Sequence, residues 1–188
     1  MKDIVVGIGE ILWDMLPEGK KLGGAPANFA YHVSQFGFDG CAVSAVGDDA
    51  LGLEMIDALS GKNVKHHIEK VSFPTGTVKI GLDNLGVPRY DIKEGVAWDN
   101  IPYTGDIESI AKQAKAVCFG SLAQRNGISR ATINRFLDAV GKECLVVFDA
   151  NLRQEYYSKE ILEDSIKRCD ILKINDEDCS KLPGGLSS

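Results

Sequence analysis

GGAPANFAYHVSQFG, residues 23–37, follows the apolar segment IVVGI of residues 4–8, and together they decide the fold. The continuous apolar run is typical of a strand that is buried on both faces of a sheet. In the longer stretch, Phe29 and Val33 recur at helical spacing, and Gly37 supplies the stop. The pattern therefore predicts a strand, a glycine turn and a helix.

The same unit returns along the chain. CAVSAV (41–46) predicts a strand, and a helix over 51–59 follows it after a capped turn. Ser129 is a predicted N-cap for a later helix that runs through residue 140. The remaining predicted elements are strands in AVCFG (116–120), LVVFDAN (145–151) and DILKIN (170–175), and a helix over 158–168. Alternating strands and helices predict a parallel sheet with helices on its faces.

Residues 71–103 do not continue this alternation of strands and helices. TGTVKIGLD (75–83) and VPRYDIK (87–93) are rich in β-forming residues, and a turn joins them. No helix fits there. We predict a small antiparallel excursion from the main sheet that forms a flap near the ligand.

The composition excludes several classes of protein. With 188 residues, of which 44% are hydrophobic, the chain can form a packed core. Its net charge of −6 argues against binding to nucleic acid or to an anionic membrane, because both need a basic surface. The five cysteines include no C-x-x-C pair, so no zinc site is expected. The N-terminus lacks the apolar core of a signal peptide, and we expect a cytoplasmic protein.

Polar residues follow the first predicted strand, at the edge where parallel α/β sheets bind ligands. Asp14 lies beyond the strand, Gly23 and Gly24 precede the helix, and Asn28 lies in its first turn. Paired glycines let the backbone approach a hydroxylated ligand, while Asn28 offers a donor and an acceptor. Asp14 can accept two hydroxyl hydrogens. The alternative is a plain tight turn in which these side chains bond only locally.

Asp149, Asn151 and Arg153 follow a buried strand at alternating positions, which puts their side chains on one side of an extended chain. A guanidinium can hold an oxyanion through two parallel hydrogen bonds, so Arg153 is the candidate for phosphate binding. The alternative is a structural ion pair between Arg153 and Asp149.

Two common nucleotide-binding motifs are missing. Gly7-Ile8-Gly9 resembles the start of a dinucleotide fingerprint, but Leu12 occupies the place of the third glycine. No G-x-x-x-x-G-K-[ST] segment occurs. Neither a Rossmann NAD site nor a P-loop is expected.

Several blocks in order resemble the PfkB (ribokinase-like) family of carbohydrate kinases. GGAPANFAYHVSQFG and VGDDALG (46–52) resemble its N-terminal signature. GEILWD (9–14) before this signature, and FGSLAQR (119–125), FDANLR (148–153) and LKINDED (172–178) after it, resemble the successive family blocks. Together with EGVAWDNIPY (94–103), these blocks look most like bacterial fructokinases.

The resemblance implies a ribokinase-like three-layer α/β/α fold with a mostly parallel central sheet. About residues 13–22 and 71–103 would form a β lid, and two lids could pair to make a homodimer. The implied activity is ATP-dependent phosphorylation of a sugar hydroxyl, most closely that of fructose, with Mg²⁺ as a further cofactor.

The strand-end residues and the resemblance together predict the site. The predicted sugar contacts are Asp14, Gly23, Gly24, Asn28, Arg89, Tyr90, Asn151 and Arg153. Arg153 would also face the transferred phosphate. Asn175 and Asp178 match an Asn-x-x-Glu element that is associated with magnesium and phosphate, with Asp178 in place of the glutamate.

The catalytic base of the family belongs to a Gly-Ala-Gly-Asp element in a C-terminal half, and residues 1–188 do not contain this element. We therefore expect an N-terminal part of such a kinase, without the aspartate that deprotonates the sugar. Two alternatives are open. One is another sugar kinase of the family, such as a ribokinase or a 2-keto-3-deoxygluconate kinase, and the other is a noncatalytic sugar-binding module.

Overall fold

Strands and helices alternate along the chain in the computed structural model, which describes residues 3–82 and 88–182, except the side chains at positions 80, 82, 88 and 89. The strands are β1 (Ile4–Ile8), β2 (Leu12–Leu16), β3 (Gly19–Gly23), β4 (Asp39–Gly47), β5 (Lys65–Val71), β6 (Thr77–Leu82), β7 (Pro88–Ile92), β8 (Ala114–Gly120), β9 (Leu145–Ala150) and β10 (Ile171–Ile174). The α-helices are α1 (Ala25–Gln35), α2 (Ala50–Gly61), α3 (Gly105–Gln113), α4 (Gly127–Ala139) and α5 (Lys159–Arg168). Short 3₁₀ helices cover Ala97–Asp99, Leu122–Arg125 and Asp176–Lys181.

The main sheet has six parallel strands in the order β10-β9-β8-β1-β4-β5. Helices α1 and α2 bury Ala30 and Met55 against one face. Helices α3, α4 and α5 bury Ile107, Phe136 and Leu162 on the other. The predicted three-layer α/β fold with a mostly parallel central sheet is confirmed.

Helix α1 lies directly on β1. A Cβ atom at Gly7 would overlap the carbonyl oxygen of Pro26, so only glycine allows this approach. The close contact places the N-terminus of α1 beside the carboxyl end of β1, where the predicted ligand residues lie.

A second sheet has the strand order β3-β2-β6-β7. Its β2–β3 and β6–β7 pairs are antiparallel, and the β6–β7 pair lies within residues 71–103, where an antiparallel excursion was predicted. Strands β2 and β6 pair in parallel, which was not predicted. The parallel pairing arises because β2 follows β1 and β6 follows β5, and both leave the main sheet at its carboxyl edge. Homodimer formation through this sheet stays a prediction.

Two local predictions were wrong or incomplete. Asn126, rather than Ser129, caps α4, and its side chain accepts a 2.9 Å hydrogen bond from the Ile128 amide. Ser129 is buried inside the helix and donates to the Trp98 carbonyl at 2.8 Å. Helix α3, which Thr104 caps, was not predicted. Among the described residues, no helix combines the length and the apolar character needed to cross a bilayer.

Candidate active site

A cavity of about 220 Å³ opens where β1, β9 and the N-terminus of α1 meet the second sheet. Six predicted site residues line it, and they are Asp14, Gly24, Asn28, Tyr90, Asn151 and Arg153. They come from separate segments of the chain, so the tertiary fold brings them together.

Asp14 reaches the cavity from β2, where it is paired with Lys21 of β3 and Val78 of β6. Partial burial raises the pKa of its carboxyl above the usual value. Gly23 does not line the cavity, but a Cβ atom at this position would overlap the carboxylate of Asp14. Gly23 therefore leaves room for Asp14 to point into the cavity.

Gly24 and Asn28 form the first turn of α1. The Asn28 amide donates to the Gly24 carbonyl at 2.9 Å, and the Asn28 side chain is exposed towards the cavity that it lines. Gly24 has a φ of +109°, and a Cβ atom there would overlap the Glu10 carbonyl oxygen. Glycine is therefore required both by the backbone conformation and by the space.

Replacing Gly24 with alanine should lower the free energy of unfolding by about 2 kcal/mol. The positive φ is unfavourable for alanine, and the new Cβ would overlap the Glu10 carbonyl oxygen. Urea denaturation measures the change. Gly61→Ala is the matched control, since Gly61 ends α2 with open space around it and should be unchanged or slightly more stable. Equal stability of the two variants would contradict the described turn.

Asn151 and Arg153 lie beyond the end of β9 and line a second cleft of about 490 Å³ as well as the cavity. Asn175, at the end of β10, lines only the second cleft, and its Nδ2 donates to Asn151 Oδ1 at 3.4 Å. The two spaces have four lining residues in common, and they are Ala25, Asn28, Asn151 and Arg153.

Asp149 does not pair with Arg153 among the described ion pairs. Its Oδ1 lies 3.0 Å from the ammonium of Lys173 on β10, although without hydrogen-bond geometry. Arg153 is exposed and faces both spaces. The guanidinium is thus placed where it could meet an anionic ligand.

Asp178 does not line either space. It is buried in the 3₁₀ helix Asp176–Lys181, and its Oδ1 accepts a 2.9 Å hydrogen bond from Lys181. Its described ion pair is with Lys181, and its predicted link to magnesium and phosphate stays a prediction.

Of the two predicted lid residues, Arg89 and Tyr90, the structure describes the side chain of Tyr90 alone. Tyr90 lines the cavity from β7, and its carbonyl accepts a 2.6 Å hydrogen bond from the Gln154 side chain. Tyr156 donates to the Ile92 carbonyl at 3.3 Å, so the segment after β9 holds β7 at two points. The side chain of Arg89 lies outside the described part of the chain.

Most of this chain matches a known protein family. Residues 18–187 match the model of the pfkB family of carbohydrate kinases. The chain belongs to the PfkB family.

Relatives of this PfkB chain include proteins named as sugar kinases. A sugar kinase of Pyrococcus horikoshii, described as uncharacterized, is 32% identical over 93% of this chain and 62% of its own length. Its crystal structure with ATP has a TM-score of 0.83 at 31% identity, covering 95% of this chain and 65% of that one. The chain thus spans less than two thirds of the length of this relative.

Two further matches carry more specific names. An ATP-dependent 6-phosphofructokinase of Thermoanaerobacterium thermosaccharolyticum is 26% identical over 96% of this chain and 61% of its own length. A fructokinase structure from Vibrio cholerae with fructose, ADP and calcium has a TM-score of 0.79 at 24% identity. It covers 100% of this chain and 64% of that one, and at this identity it supports the fold alone.

Glu10 lines the cavity but was not among the predicted site residues. It follows β1, is 3% exposed, and its Oε2 has no hydrogen-bond partner among the described residues. Burial raises the pKa of this carboxyl to about 7, against the opposing effect of backbone amides at Glu10 and Ala25. A single glutamate after a strand is usually exposed, so its burial could not be predicted from the sequence.

The raised pKa of Glu10 predicts a pH-dependent stability. The unfolded carboxyl ionises near 4.5 and the folded one near 7, so the native state holds one more proton between these values. The free energy of unfolding should therefore fall as the pH rises through this window. Glutamine cannot ionise, so Glu10→Gln avoids the free-energy cost of a buried carboxylate. The unfolding free energy of this variant should exceed that of the wild type by at most about 3 kcal/mol at pH 8.

Urea denaturation of Glu10→Gln and wild type at pH 4.5 and pH 8 checks this prediction. The variant should show little gain at the lower pH. A stability difference that is the same at both pH values would contradict the raised pKa.

Arg125 and Asp99 form a second feature that the sequence did not predict. Arg125 Nε and Nη2 contact the two carboxylate oxygens of Asp99 at 2.8 and 2.9 Å, and both side chains are almost fully buried. The guanidinium carbon lies over the rings of Trp98 and Tyr156, at 4.1 and 4.5 Å from their centroids. It also donates to the Lys93 carbonyl, which follows β7. The pair therefore links the end of β7, in the second sheet, to the segment that follows β8.

Proposed function

We propose that the protein containing this chain is an ATP-dependent sugar kinase and that fructose is its acceptor. The observation that carries the proposal is the single cavity lined by Asp14, Asn28, Asn151 and Arg153. A carboxylate, two amides and a guanidinium provide acceptors and donors for several hydroxyl groups at once. Such a set suits a polyol better than an apolar ligand.

The size of the cavity supports a small acceptor. At about 220 Å³ it is smaller than the usual range for pockets that hold drug-sized ligands. A monosaccharide is compatible with this space, whereas a whole nucleotide is not. ATP would then approach from outside the cavity, along the larger cleft that shares Asn151 and Arg153 with it.

The reaction would take place where the two spaces meet. The sugar hydroxyl oxygen forms a bond to the γ-phosphorus of ATP, the bond from this phosphorus to the bridging oxygen breaks, and ADP leaves. Arg153 would stabilise the charge on the transferred group through its guanidinium. The proton of the hydroxyl passes to a base that we expect outside residues 1–188.

The described residues do not form a metal site of their own. They contain no group of three His, Cys, Asp or Glu side chains that could hold an ion. Magnesium in kinases is commonly held by substrate phosphates with one or two carboxylates. When bound with ATP, it would neutralise charge on the β- and γ-phosphates, and no step here depends on a metal held by this chain alone.

A substrate panel tests the proposal. The product of the complete reading frame is assayed for ADP release with ATP and fructose, ribose, 2-keto-3-deoxygluconate or fructose 6-phosphate. We expect fructose to give the highest kcat/KM. A higher value for another acceptor would identify that sugar as the substrate and would still support kinase activity, because a few contacts decide between similar sugars.

The panel also tests the noncatalytic alternative. Binding of fructose by calorimetry without ADP release from any acceptor would favour a sugar-binding module. Absence of both binding and turnover with every sugar would reject the proposed function.

A further inference from the structure

Strand β7 is the outer strand of the second sheet, so one of its edges has no strand partner in the described part of the chain. Carbonyl groups on such an edge need other partners. The carbonyls of Tyr90 and Ile92, two residues apart on β7, accept hydrogen bonds from the side chains of Gln154 and Tyr156. The segment that follows the site residue Arg153 therefore takes the place of a neighbouring strand.

Gln154 makes the shorter of these two hydrogen bonds. Its Nε2 donates to the Tyr90 carbonyl at 2.6 Å, although the two residues are 64 positions apart. The φ of Gln154 is +47°, in the left-handed region that is unfavourable for a residue with a Cβ. Gln154 is exposed, so burial of its side chain does not offset this strain. The hydrogen bond to β7 is the side-chain interaction that accompanies the strained backbone.

The turn at Gln154 gives two neighbouring side chains different partners. Arg153 lines the cavity and the larger cleft, whereas Gln154 lines neither and bonds to β7. The Tyr156 amide donates to the Arg153 carbonyl at 3.0 Å, which closes the turn. Leu152 is buried in the core, and the Tyr156 ring centroid lies 4.5 Å from the guanidinium carbon of Arg125. Both ends of the turn are therefore anchored.

Strand β7 forms part of the wall of the proposed sugar cavity. Tyr90 and Ile92 line the cavity from β7, and Asp14 and Val78 line it from β2 and β6 of the same sheet. The described residues that line the larger cleft include none from this sheet. A shift of β7 away from the turn would thus widen the cavity and leave the larger cleft as it is.

We propose that Gln154 is a positioning residue for the sugar, because its hydrogen bond to the Tyr90 carbonyl holds β7 close to Arg153 and keeps the cavity closed around the acceptor. The inference rests on the proposed function of the cavity as a sugar site. Gln154 acts through β7 and contacts neither the sugar nor ATP. Tyr156 supports the same edge through its longer hydrogen bond of 3.3 Å to the Ile92 carbonyl.

Steady-state kinetics of the product of the complete reading frame test this role. Gln154→Gly removes the side-chain donor and keeps the left-handed backbone, which glycine adopts without strain. The KM for fructose should rise about five- to tenfold, the effect of losing one hydrogen bond that holds the wall of the cavity. The KM for ATP should stay within about twofold of the wild-type value, because the second sheet does not line the larger cleft.

A second variant and a matched control separate the lost donor from other effects. Gln154→Glu keeps the shape of the side chain but replaces the donor with a carboxylate at pH 8, so it should raise the KM for fructose as Gln154→Gly does. Asn63→Gly is the control, since Asn63 is exposed, has a φ of +55° and lines neither space. Its KM values should equal those of the wild type. Thermal melting establishes that each variant is folded in the assay.

Each outcome decides the role of Gln154. The inference is overturned if either Gln154 variant keeps the wild-type KM for fructose, or if the KM values for fructose and ATP rise together. The first result would show that the donor is not needed, and the second would show a general effect on the fold. If the wild type turns over no acceptor, the proposed function fails and takes this inference with it.

Discussion

Asp14→Ala is expected to weaken fructose binding by about a thousandfold, the largest effect of any single change in the cavity. The carboxylate can accept hydrogen bonds from two hydroxyl groups, and each charge-assisted bond contributes about 1.5–3 kcal/mol. Because burial already raises the pKa of Asp14, removing the carboxyl should not reduce the stability of the fold.

Calorimetry with fructose measures the affinity of Asp14→Ala, and a thermal melt establishes that the variant is folded. Asp48→Ala is the control, since Asp48 is an exposed aspartate outside the cavity, 3.8 Å from Lys70. Its affinity should equal that of the wild type. If Asp14→Ala binds fructose within threefold of the wild type, Asp14 is not a sugar contact.

Breaking the Arg125–Asp99 pair is expected to cost about 3–5 kcal/mol of unfolding free energy, because either single substitution leaves the other charge buried without its partner. The side chains of Arg125 and Asp99 are 6% and 2% exposed. Arg125→Met and Asp99→Leu are the single variants. Joining them in one chain should recover much of the loss, since no unpaired charge then remains.

Urea denaturation of these single and double variants gives the coupling between the two positions. The control is Arg168→Ala, which removes an exposed pair with Asp138 and should cost no more than about 1 kcal/mol. If the single variants lose as little unfolding free energy as this control, the buried pair does not stabilise the fold.

Much of the fold could be predicted from local patterns. The apolar run at 4–8 and the helical spacing after Gly24 predicted β1 and α1 because each pattern lies within one element. Parallel strands share one carboxyl edge, and this rule was enough to predict that Asp14 and Arg153 would meet, although 139 positions separate them (153 − 14).

Other features depend on contacts between distant segments. Asp99 and Arg125 are 26 positions apart, and nothing in either segment shows that they form a buried pair. Ser129 resembles a cap in sequence, but in the fold it bonds to Trp98. The burial of Glu10 likewise follows from the packing of β8, β9 and α1 around the end of β1, which no local pattern encodes.

The parallel pairing of β2 with β6 was also beyond local prediction. The two strands belong to separate segments of the predicted β lid, and their pairing depends on where β1 and β5 lie in the main sheet. Asp178 is a different case. Its place in LKINDED suggested a site residue; in the fold it is buried, accepts a hydrogen bond from Lys181 and does not line the cavity, so its role stays a prediction.

The crystal structure of the protein from crystals soaked with fructose would show whether side chains from separate loops surround one sugar. We expect fructose in the cavity, with hydroxyl groups bonded to Asp14 and Asn28 and one hydroxyl directed towards Arg153. Fructose bound at another surface, with the cavity free of it, would show that these side chains do not form a sugar site.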